Sequence, residues 1–186
     1  MDVRGVSLIE LLVALLIAAV LLQLALPAWS TFQGNRRAVA AINTLIASVQ
    51  LARTSAVVQG VTVTFCPRSG AACGSRADWT QGGLIFADAN RNARIDEGEV
   101  VYGGLPPLDG GATLQWRAFR NRSYLQFRPS GLTDWQNGSF LYCPADGDAR
   151  FARAIILNVA GRVRRAPDRN QDGIAEDAQG RPLVCQ

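Results

Sequence analysis

The stretch RGVSLIELLVALLIAAVLLQLALPAWSTFQGN, residues 4–35, decides how this chain is organised. Between residues 11 and 35 it contains no charged side chain. At a rise of about 1.5 Å per residue, a helix of this length crosses a hydrocarbon layer of about 30 Å. The stretch therefore predicts a membrane-spanning helix near the N-terminus, with Arg4 on the cytoplasmic side.

Two features distinguish this stretch from a secretory signal peptide. Its small residue, Gly5, comes before the apolar block, whereas a secretory cleavage site follows the block. Glu10 lies at the edge of the block, where a carboxylate is costly unless a positive charge neutralises it. Together, residues 4–12, RGVSLIELL, closely resemble the class III signal of type IV prepilins.

That resemblance implies a role for each part of the N-terminal region. The prepilin peptidase would cut between Gly5 and Val6, removing residues 1–5 as a leader and leaving an amine on Val6 that is usually N-methylated. Most of the family has Phe where this chain has Val6. Glu10 would pair with the free N-terminus of a neighbouring subunit in the fibre.

The same resemblance implies where the parts of the chain lie. Residues 6–33 would be the transmembrane half of the N-terminal helix, a single pass through the bacterial inner membrane. Residues 34–186, which include the second half of the helix, would form a periplasmic domain. The assembled subunit would then be part of a pilus, with this domain outside.

The helix is expected to continue past the membrane with a different pattern. Pro27 should kink or loosen it, because proline removes a backbone hydrogen bond. Apolar residues then recur at spacings of three and four, which indicates a helix with one buried face: Ile42, Leu45, Ile46, Val49, Ala52 and Ala56. Gly60 is the expected end of the helix.

After Gly60 the apolar period changes to two, which is typical of short strands. The alternating runs are residues 61–65, 113–117, 123–127, 139–143 and 154–159. Glycine and proline pairs separate them as turns. The expected fold class is therefore α+β, a type IV pilin fold in which the long N-terminal helix packs on an antiparallel β-sheet.

Further motifs resemble one branch of the pilins, the FimT/GspH-type minor pilins and pseudopilins, over essentially the whole chain. The motifs include Cys66-Pro67, Gly82-Gly83-Leu84-Ile85-Phe86, residues 88–99, residues 127–131 and residues 158–164. The resemblance implies a subunit whose partners are other pilins and the prepilin peptidase.

Composition excludes much catalytic chemistry. The chain contains no His and no Lys, so all 19 basic residues are Arg. His-based triads, His-ligated metals and Lys Schiff bases are thereby excluded. No pair of carboxylates and no Ser motif looks catalytic, so we expect no enzymatic activity. The net charge of +4 favours an anionic partner, although solvated surface arginines also account for it.

The chain has four cysteines, which allow three pairings that spacing alone does not decide. In an exported domain we expect two disulfides, because the periplasm is oxidising. We favour Cys66 with Cys73, which closes a short loop, and Cys143 with Cys185, which ties down the C-terminal tail.

One arginine motif indicates a function beyond assembly. FimT-like competence pilins, the branch that this chain resembles most, are associated with a Gly-Arg-x-Arg motif that binds DNA during natural transformation. Gly161, Arg162 and Arg164 fit this motif, and Arg165 extends it. In a strand, Arg162 and Arg164 would project to the same face. Residues 150–169 contain six Arg and one acid, a net charge of +5. We therefore expect sequence-independent binding to the phosphates of double-stranded DNA.

The arginines of residues 150–169 also fit two purely structural roles. They could deter pairing at a sheet edge, or they could face acidic pilin neighbours. The chain would then be a structural minor pilin, or a type II secretion pseudopilin that primes fibre assembly, without binding DNA.

Two acidic loops partly match the spacing of calcium loops, although Asp and Asn also favour turns by bonding their own backbone. The first has Ala93 where the pattern needs Gly, and its candidate ligands are Asp88, Asn90, Asn92, Asp96 and Glu99. The second has Gln179 where the final acid should be, and its candidates are Asp168, Asn170, Asp172 and Glu176. We expect no cofactor, with structural calcium as a subsidiary hypothesis.

The prepilin signal predicts how two substitutions affect processing. Replacing Gly5 by a bulky residue should leave the longer precursor in the inner membrane, because the peptidase cuts after this residue. Glu10→Ala should allow cleavage but impair incorporation, because the buried amine of the neighbour loses its partner. Mass spectrometry of fibre-incorporated protein tests the cleavage site, and an N-terminus at Met1 or Val3 would contradict it.

Overall fold

The structure is a computed structural model that describes residues 7–118 and 121–185, without the side chains of residues 24 and 27. The chain divides into two compact units, Met1–Arg37 and Ala38–Gln186. Helix α1 covers Leu8–Gln59, and its N-terminal part belongs to the first unit. This helix is long and apolar enough to cross a membrane. The predicted leader and Val6 lie outside the described residues.

Helix α1 begins after Ser7, whose hydroxyl accepts a hydrogen bond from the Glu10 N–H at 3.3 Å, as a helix cap does. The helix is continuous through Pro27, so the expected loosening does not interrupt it. Its second half buries one stripe, in agreement with the sequence pattern except that Ile46 is only partly buried. The buried members are Ala38, Ile42, Leu45, Val49, Ala52 and Ala56.

Nine strands follow within the described residues: β1 Val63–Ser69, β2 Ala72–Cys73, β3 Gly83–Ala87, β4 Val101–Leu105, β5 Thr113–Ala118, β6 Leu125–Phe127, β7 Gly138–Cys143, β8 Arg153–Leu157 and β9 Val163–Arg165. Short 3₁₀ helices cover Arg76–Gln81 and Ala149–Phe151. One sheet has the order β2-β1-β3-β4, with β6 also paired to β1, and the other has the order β5-β7-β8-β9. The α+β class and the antiparallel pairing predicted from the sequence are confirmed.

The sequence predicted a single sheet, and the structure has two. Strands β3 and β4 escaped prediction because their glycines look like turn residues. Gly104 instead allows the two strands to approach closely, since a Cβ there would collide with the Gly83 carbonyl, and a Cβ on Gly83 would collide with the Phe65 ring.

Both sheets and the α1 stripe enclose one core. Its centre is an aromatic cluster in which the Trp79 ring lies 4.8 Å from the rings of Phe65 in the first sheet and Phe140 in the second. Trp116 packs on Phe140 at 4.4 Å. The Trp79 indole N–H donates to the Ser123 carbonyl at 2.9 Å, so its polar atom is satisfied inside the core.

The structure contains the disulfides Cys66–Cys73 and Cys143–Cys185, the pairing favoured from the sequence. The second bridge holds the C-terminal tail against the outer face of the second sheet. There, Ala175 and Leu183 of the tail pack in a small cluster with Leu141, Cys143, Ala152 and Ala154.

We predict that the two disulfides stabilise the fold unequally. Their sequence separations are 42 residues for Cys143–Cys185 and 7 for Cys66–Cys73. Chain entropy alone then predicts losses of about 4 and about 2.5 kcal/mol when each bridge is removed. Denaturant unfolding of the two double-Ala variants in nonionic detergent tests this difference. An equal or larger loss for the short loop would contradict it.

Candidate nucleic-acid interface

The arginine motif lies on the hairpin of strands β8 and β9. Ile156 pairs with Arg164, and Leu157 pairs with Val163. The Arg162 N–H donates to the Asn158 side-chain oxygen at 3.0 Å, and the Asn158 N–H donates to the Arg162 carbonyl at 3.2 Å. Strand alternation therefore extends to Arg162. Val163 packs on the core, and Arg162 and Arg164 share the opposite, outward face.

The hairpin turn is held by the helix and by the loop of residues 128–136. Gly161 has φ +72°, and a Cβ there would lie 2.6 Å from the Gly131 carbonyl oxygen. The Gly161 carbonyl accepts from an Arg53 Nη at 3.3 Å, and the Val159 carbonyl accepts from the Thr133 N–H at 3.0 Å. The glycine of the motif is thus needed for a close backbone approach.

Arg165 is separated from the other two arginines of the motif. It pairs with Ile155, whose side chain lies in the core, so alternation places Arg165 on the side opposite Arg164. Its guanidinium donates to the side-chain oxygen of Asn43 on helix α1. Arg165 extends the motif in the sequence but lies apart from the surface of Arg162 and Arg164, since neighbouring strand residues point to opposite faces.

Two more arginines of the +5 segment are also engaged. Arg150 forms an ion pair with Asp148 at 2.6 Å, and its hydrogen bonds hold the pKa of that carboxyl below its usual value. An Arg153 Nη donates to the carbonyls of Arg150 at 2.7 Å and Ala152 at 2.8 Å. Partial burial lowers the pKa of Arg153. The net charge of +5 for residues 150–169 is therefore larger than the positive charge that is available to a ligand.

Arg162 and Arg164 differ from these arginines. Both side chains are exposed, and within the part of the chain that the structure describes, neither guanidinium has a hydrogen bond or an ion pair. Each keeps its donors for a ligand. A guanidinium can bind phosphate through two parallel hydrogen bonds.

Sequence reasoning missed a further arginine on this face. Arg117 of β5 pairs with Ser139, which pairs with Ile156, which pairs with Arg164. Three strand spacings of about 4.8 Å put the backbones of Arg117 and Arg164 roughly 14 Å apart on one sheet face. Arg117 is exposed and bonds only Gln115 among the described residues, at 3.1 Å. Nothing but the strand register could have linked it to the motif.

A cavity of about 400 Å³ lies on the same face between the second sheet and the tail. Its lining includes Arg117, Ile156, Asp177 and Arg181. Asp177 is paired with Arg181 at 2.8 Å, so its negative charge is balanced within the tail.

The first acidic loop is closed by its own hydrogen bonds. Buried Asp88 accepts from the Gln126 amide at 2.8 Å and from the N–H groups of Asn92 at 3.0 Å and Ala93 at 3.1 Å. Ala93 adopts φ +56°, the left-handed conformation for which a calcium loop uses Gly. Asp96 accepts from Asn90 and Asn92 at 2.7 Å each, and Glu99 accepts from two backbone N–H groups.

The second acidic loop is closed in the same way. Asp168 accepts from the Gly173 N–H at 2.9 Å, and Glu176 accepts from the Arg169 N–H at 2.8 Å. Asp172 accepts from the Asn170 amide at 2.9 Å. The described residues contain no cluster of three or more His, Cys, Asp or Glu placed to hold a metal. Calcium binding in either loop stays a prediction.

The predicted assembly residues lie at the other end of the chain. Glu10 is exposed in the first turn of α1. Gly5 and Val6 are outside the described residues, so their roles stay predictions.

Comparisons with known proteins identify relatives of both parts of the chain. Residues 41–161 match the family described as type II transport protein GspH, and residues 1–22 match the prokaryotic N-terminal methylation motif. A search of curated proteins finds no significant match.

Solved structures supply the fold comparison. The crystal structure of the type IV minor pilin FimU from Pseudomonas aeruginosa PAO1, in space group P21, is similar with a TM-score of 0.55 and 18% identity. The match covers 83% of this chain and 99% of that one. The P65 crystal form matches with a TM-score of 0.49 and 20% identity, over 69% of this chain and 91% of that one.

The close approach at Gly161 predicts a specific loss of stability. Gly161→Ala and Gly147→Ala both place Ala at a positive φ, +72° and +71°, but a Cβ on Gly147 meets nothing within 4 Å. The collision at Gly161 should cost about 1–3 kcal/mol more. Its Tm should therefore be lower than that of Gly147→Ala by at least about 3 °C in thermal unfolding of both variants. Equal Tm values would contradict the need for glycine at this position.

Proposed function

Because the chain belongs to the GspH family of pilins and pseudopilins, we propose that it is a minor type IV pilin that binds DNA through Arg162 and Arg164 for natural transformation. The family match ends at Gly161, so the two arginines lie just beyond it. The DNA proposal therefore depends on this chain's own residues. The observation that carries it is the pair of exposed guanidiniums without partners among the described residues.

The physical argument concerns available charge. Phosphate contacts supply affinity that does not depend on base sequence, which is what uptake of arbitrary DNA requires. Arg150, Arg153 and Arg165 are each engaged by other residues of the protein, and Arg162 and Arg164 are not. Two free guanidiniums on one face can contact neighbouring phosphates together.

Arg117 would extend this surface across the sheet. Its backbone lies roughly 14 Å from that of Arg164 on the outward face, by strand spacing. Because the C-terminal tail covers part of this face, a duplex would contact Arg117 and Arg164 at the two ends of the row and not the strands between them. The rigid sheet supports such contacts better than a loop would, because little conformational freedom is lost on binding.

Anchoring and assembly complete the proposal. The apolar helix Leu8–Gln59 and the N-terminal methylation motif support processing by a prepilin peptidase and insertion into the bacterial inner membrane. The sheet domain would lie in the periplasm before assembly with other pilins. Glu10 would then pair with the N-terminal amine of a neighbouring subunit.

A second candidate function is favoured by the description of the matched family as a type II transport protein. In that case the chain would be a pseudopilin, or a structural minor pilin, that primes fibre assembly without binding DNA. The exposed arginines would then face acidic neighbouring subunits.

The proposal predicts a change in the salt dependence of DNA binding. For the full-length protein in nonionic detergent, affinity for duplex DNA should fall steeply with salt. The plot of log binding constant against log salt concentration should steepen by about 0.9 for each phosphate that the protein neutralises. Arg162→Gln with Arg164→Gln should lower that slope by about two. Salt titrations by fluorescence anisotropy measure it, with circular dichroism as the folding control.

The matched control removes the same charge from engaged arginines. Arg150→Gln with Arg165→Gln also lowers the net charge by two, but we expect it to leave most of the slope intact. Equal losses in the two double variants would mean that binding follows net charge and not this surface. If the wild type does not bind at low salt, the structural function replaces the DNA proposal.

A further inference from the structure

A second cationic surface lies on residues 122–124, just before strand β6, and on the loop of residues 128–136. Five side chains form a continuous row, which we call the arginine–aromatic ladder: Tyr124, Arg122, Asp134, Arg128 and Trp135. The Arg122 guanidinium carbon lies 5.6 Å from the Tyr124 ring centre, and that of Arg128 lies 5.8 Å from the Trp135 ring centre. Asp134 joins the two arginines, with bonds of 3.0 Å to Arg122 Nη1 and to Arg128 Nε.

The ladder is positively charged, because two guanidiniums share one carboxylate. Burial alone would raise the pKa of Asp134, but hydrogen bonds from Arg128 and Arg122 hold it below its usual value. Asp134 is therefore ionised at neutral pH. The side chains of Arg122 and Arg128 are 30% and 35% exposed, so each keeps donors that face solvent.

Trp135 is exposed in a way that core packing does not explain. Its relative exposure is 62%, whereas Trp79 and Trp116 are fully buried. Its φ is +57°, an unfavourable value for a bulky residue. The flanking Gln136 is buried and fixed, because its amide donates to the Tyr124 carbonyl at 2.8 Å and its N–H donates to Thr133 Oγ1 at 3.1 Å. The surrounding structure thus holds an indole ring in solvent.

The ladder loop is joined to the hairpin that carries Arg162. The Thr133 N–H donates to the Val159 carbonyl at 3.0 Å, and Gly131 approaches Gly161 closely. The loop and the hairpin therefore hold one another in place. The ladder and Arg162 are thus carried by segments that contact each other.

We propose that the ladder binds single-stranded DNA, with unpaired bases stacking on Trp135 and phosphates contacting Arg122 and Arg128. This inference rests on the proposed function for the identity of the partner as nucleic acid. Aromatic rings combined with cations are typical of single-strand sites, because every base has a π-face and every nucleotide has a phosphate. Bases inside a duplex are already stacked, so Trp135 should add little to duplex binding.

Intrinsic fluorescence can report on Trp135 directly. The chain has four Trp, and Trp29 is the only other exposed one. In full-length Trp29→Phe protein in nonionic detergent, quenching by a ligand therefore reports mainly on Trp135. The probes are an oligothymidylate, an abasic oligonucleotide of the same length and a duplex.

We expect the oligothymidylate to quench this fluorescence and the abasic strand to quench it little. In anisotropy measurements with labelled strands, Trp135→Leu should weaken oligothymidylate binding about tenfold, because one stacked base is lost. Binding of the abasic strand and the duplex should stay unchanged. Trp135→Phe should retain most of the affinity, and circular dichroism confirms that both variants are folded.

The outcomes separate this inference from the proposed function. If Trp135→Leu changes nothing while Arg162→Gln with Arg164→Gln weakens duplex binding, the ladder inference is overturned and the proposed function stands. If no strand binds, both fail, and Trp135 is left as a contact for another protein subunit. An oligouridylate that binds more tightly than the oligothymidylate would overturn the assignment to DNA.

Discussion

The packing of one stripe of helix α1 against two antiparallel sheets is the interaction on which the rest of the domain depends. The stripe runs from Ala38 to Ala56, and the inward residues of both sheets meet it. Trp79 completes the core by touching an aromatic ring of each sheet. When one face of a strand packs against this core, every second side chain must point outward, because successive side chains alternate between the two faces.

The outward positions of Arg162 and Arg164 follow from that constraint. Val163 lies between them and packs on the core, so both arginines project away from it. The turn before them is fastened to Arg53 of the helix and to the loop of residues 128–136. The second half of helix α1, beyond the apolar segment that is long enough to cross a membrane, thus supports a cationic surface.

The positive charge available to a ligand depends less on the number of arginines than on which of them are already bound to other groups of the protein. Asp148 engages Arg150, backbone carbonyls engage Arg153 and Asn43 engages Arg165. Asp134 is shared by Arg122 and Arg128, which leaves that pair with excess positive charge beside exposed Trp135. Family membership does not reveal which arginines are available. Pilins and pseudopilins share a fold, whereas their partners depend on individual surface residues.

The sequence by itself determined the long apolar N-terminal segment, the buried stripe of α1, the α+β class and most of the second sheet, because these depend on local composition and periodicity. It did not reveal β3 and β4, because glycines that permit close strand approach look like turn residues. Only the tertiary structure decided which arginines stay available. Arg165 and Asn43 are 122 residues apart, and the row from Arg117 to Arg164 depends on the register of four strands. Local patterns carry no information about contacts over such distances along the chain, since those contacts form only when the core has fixed the register.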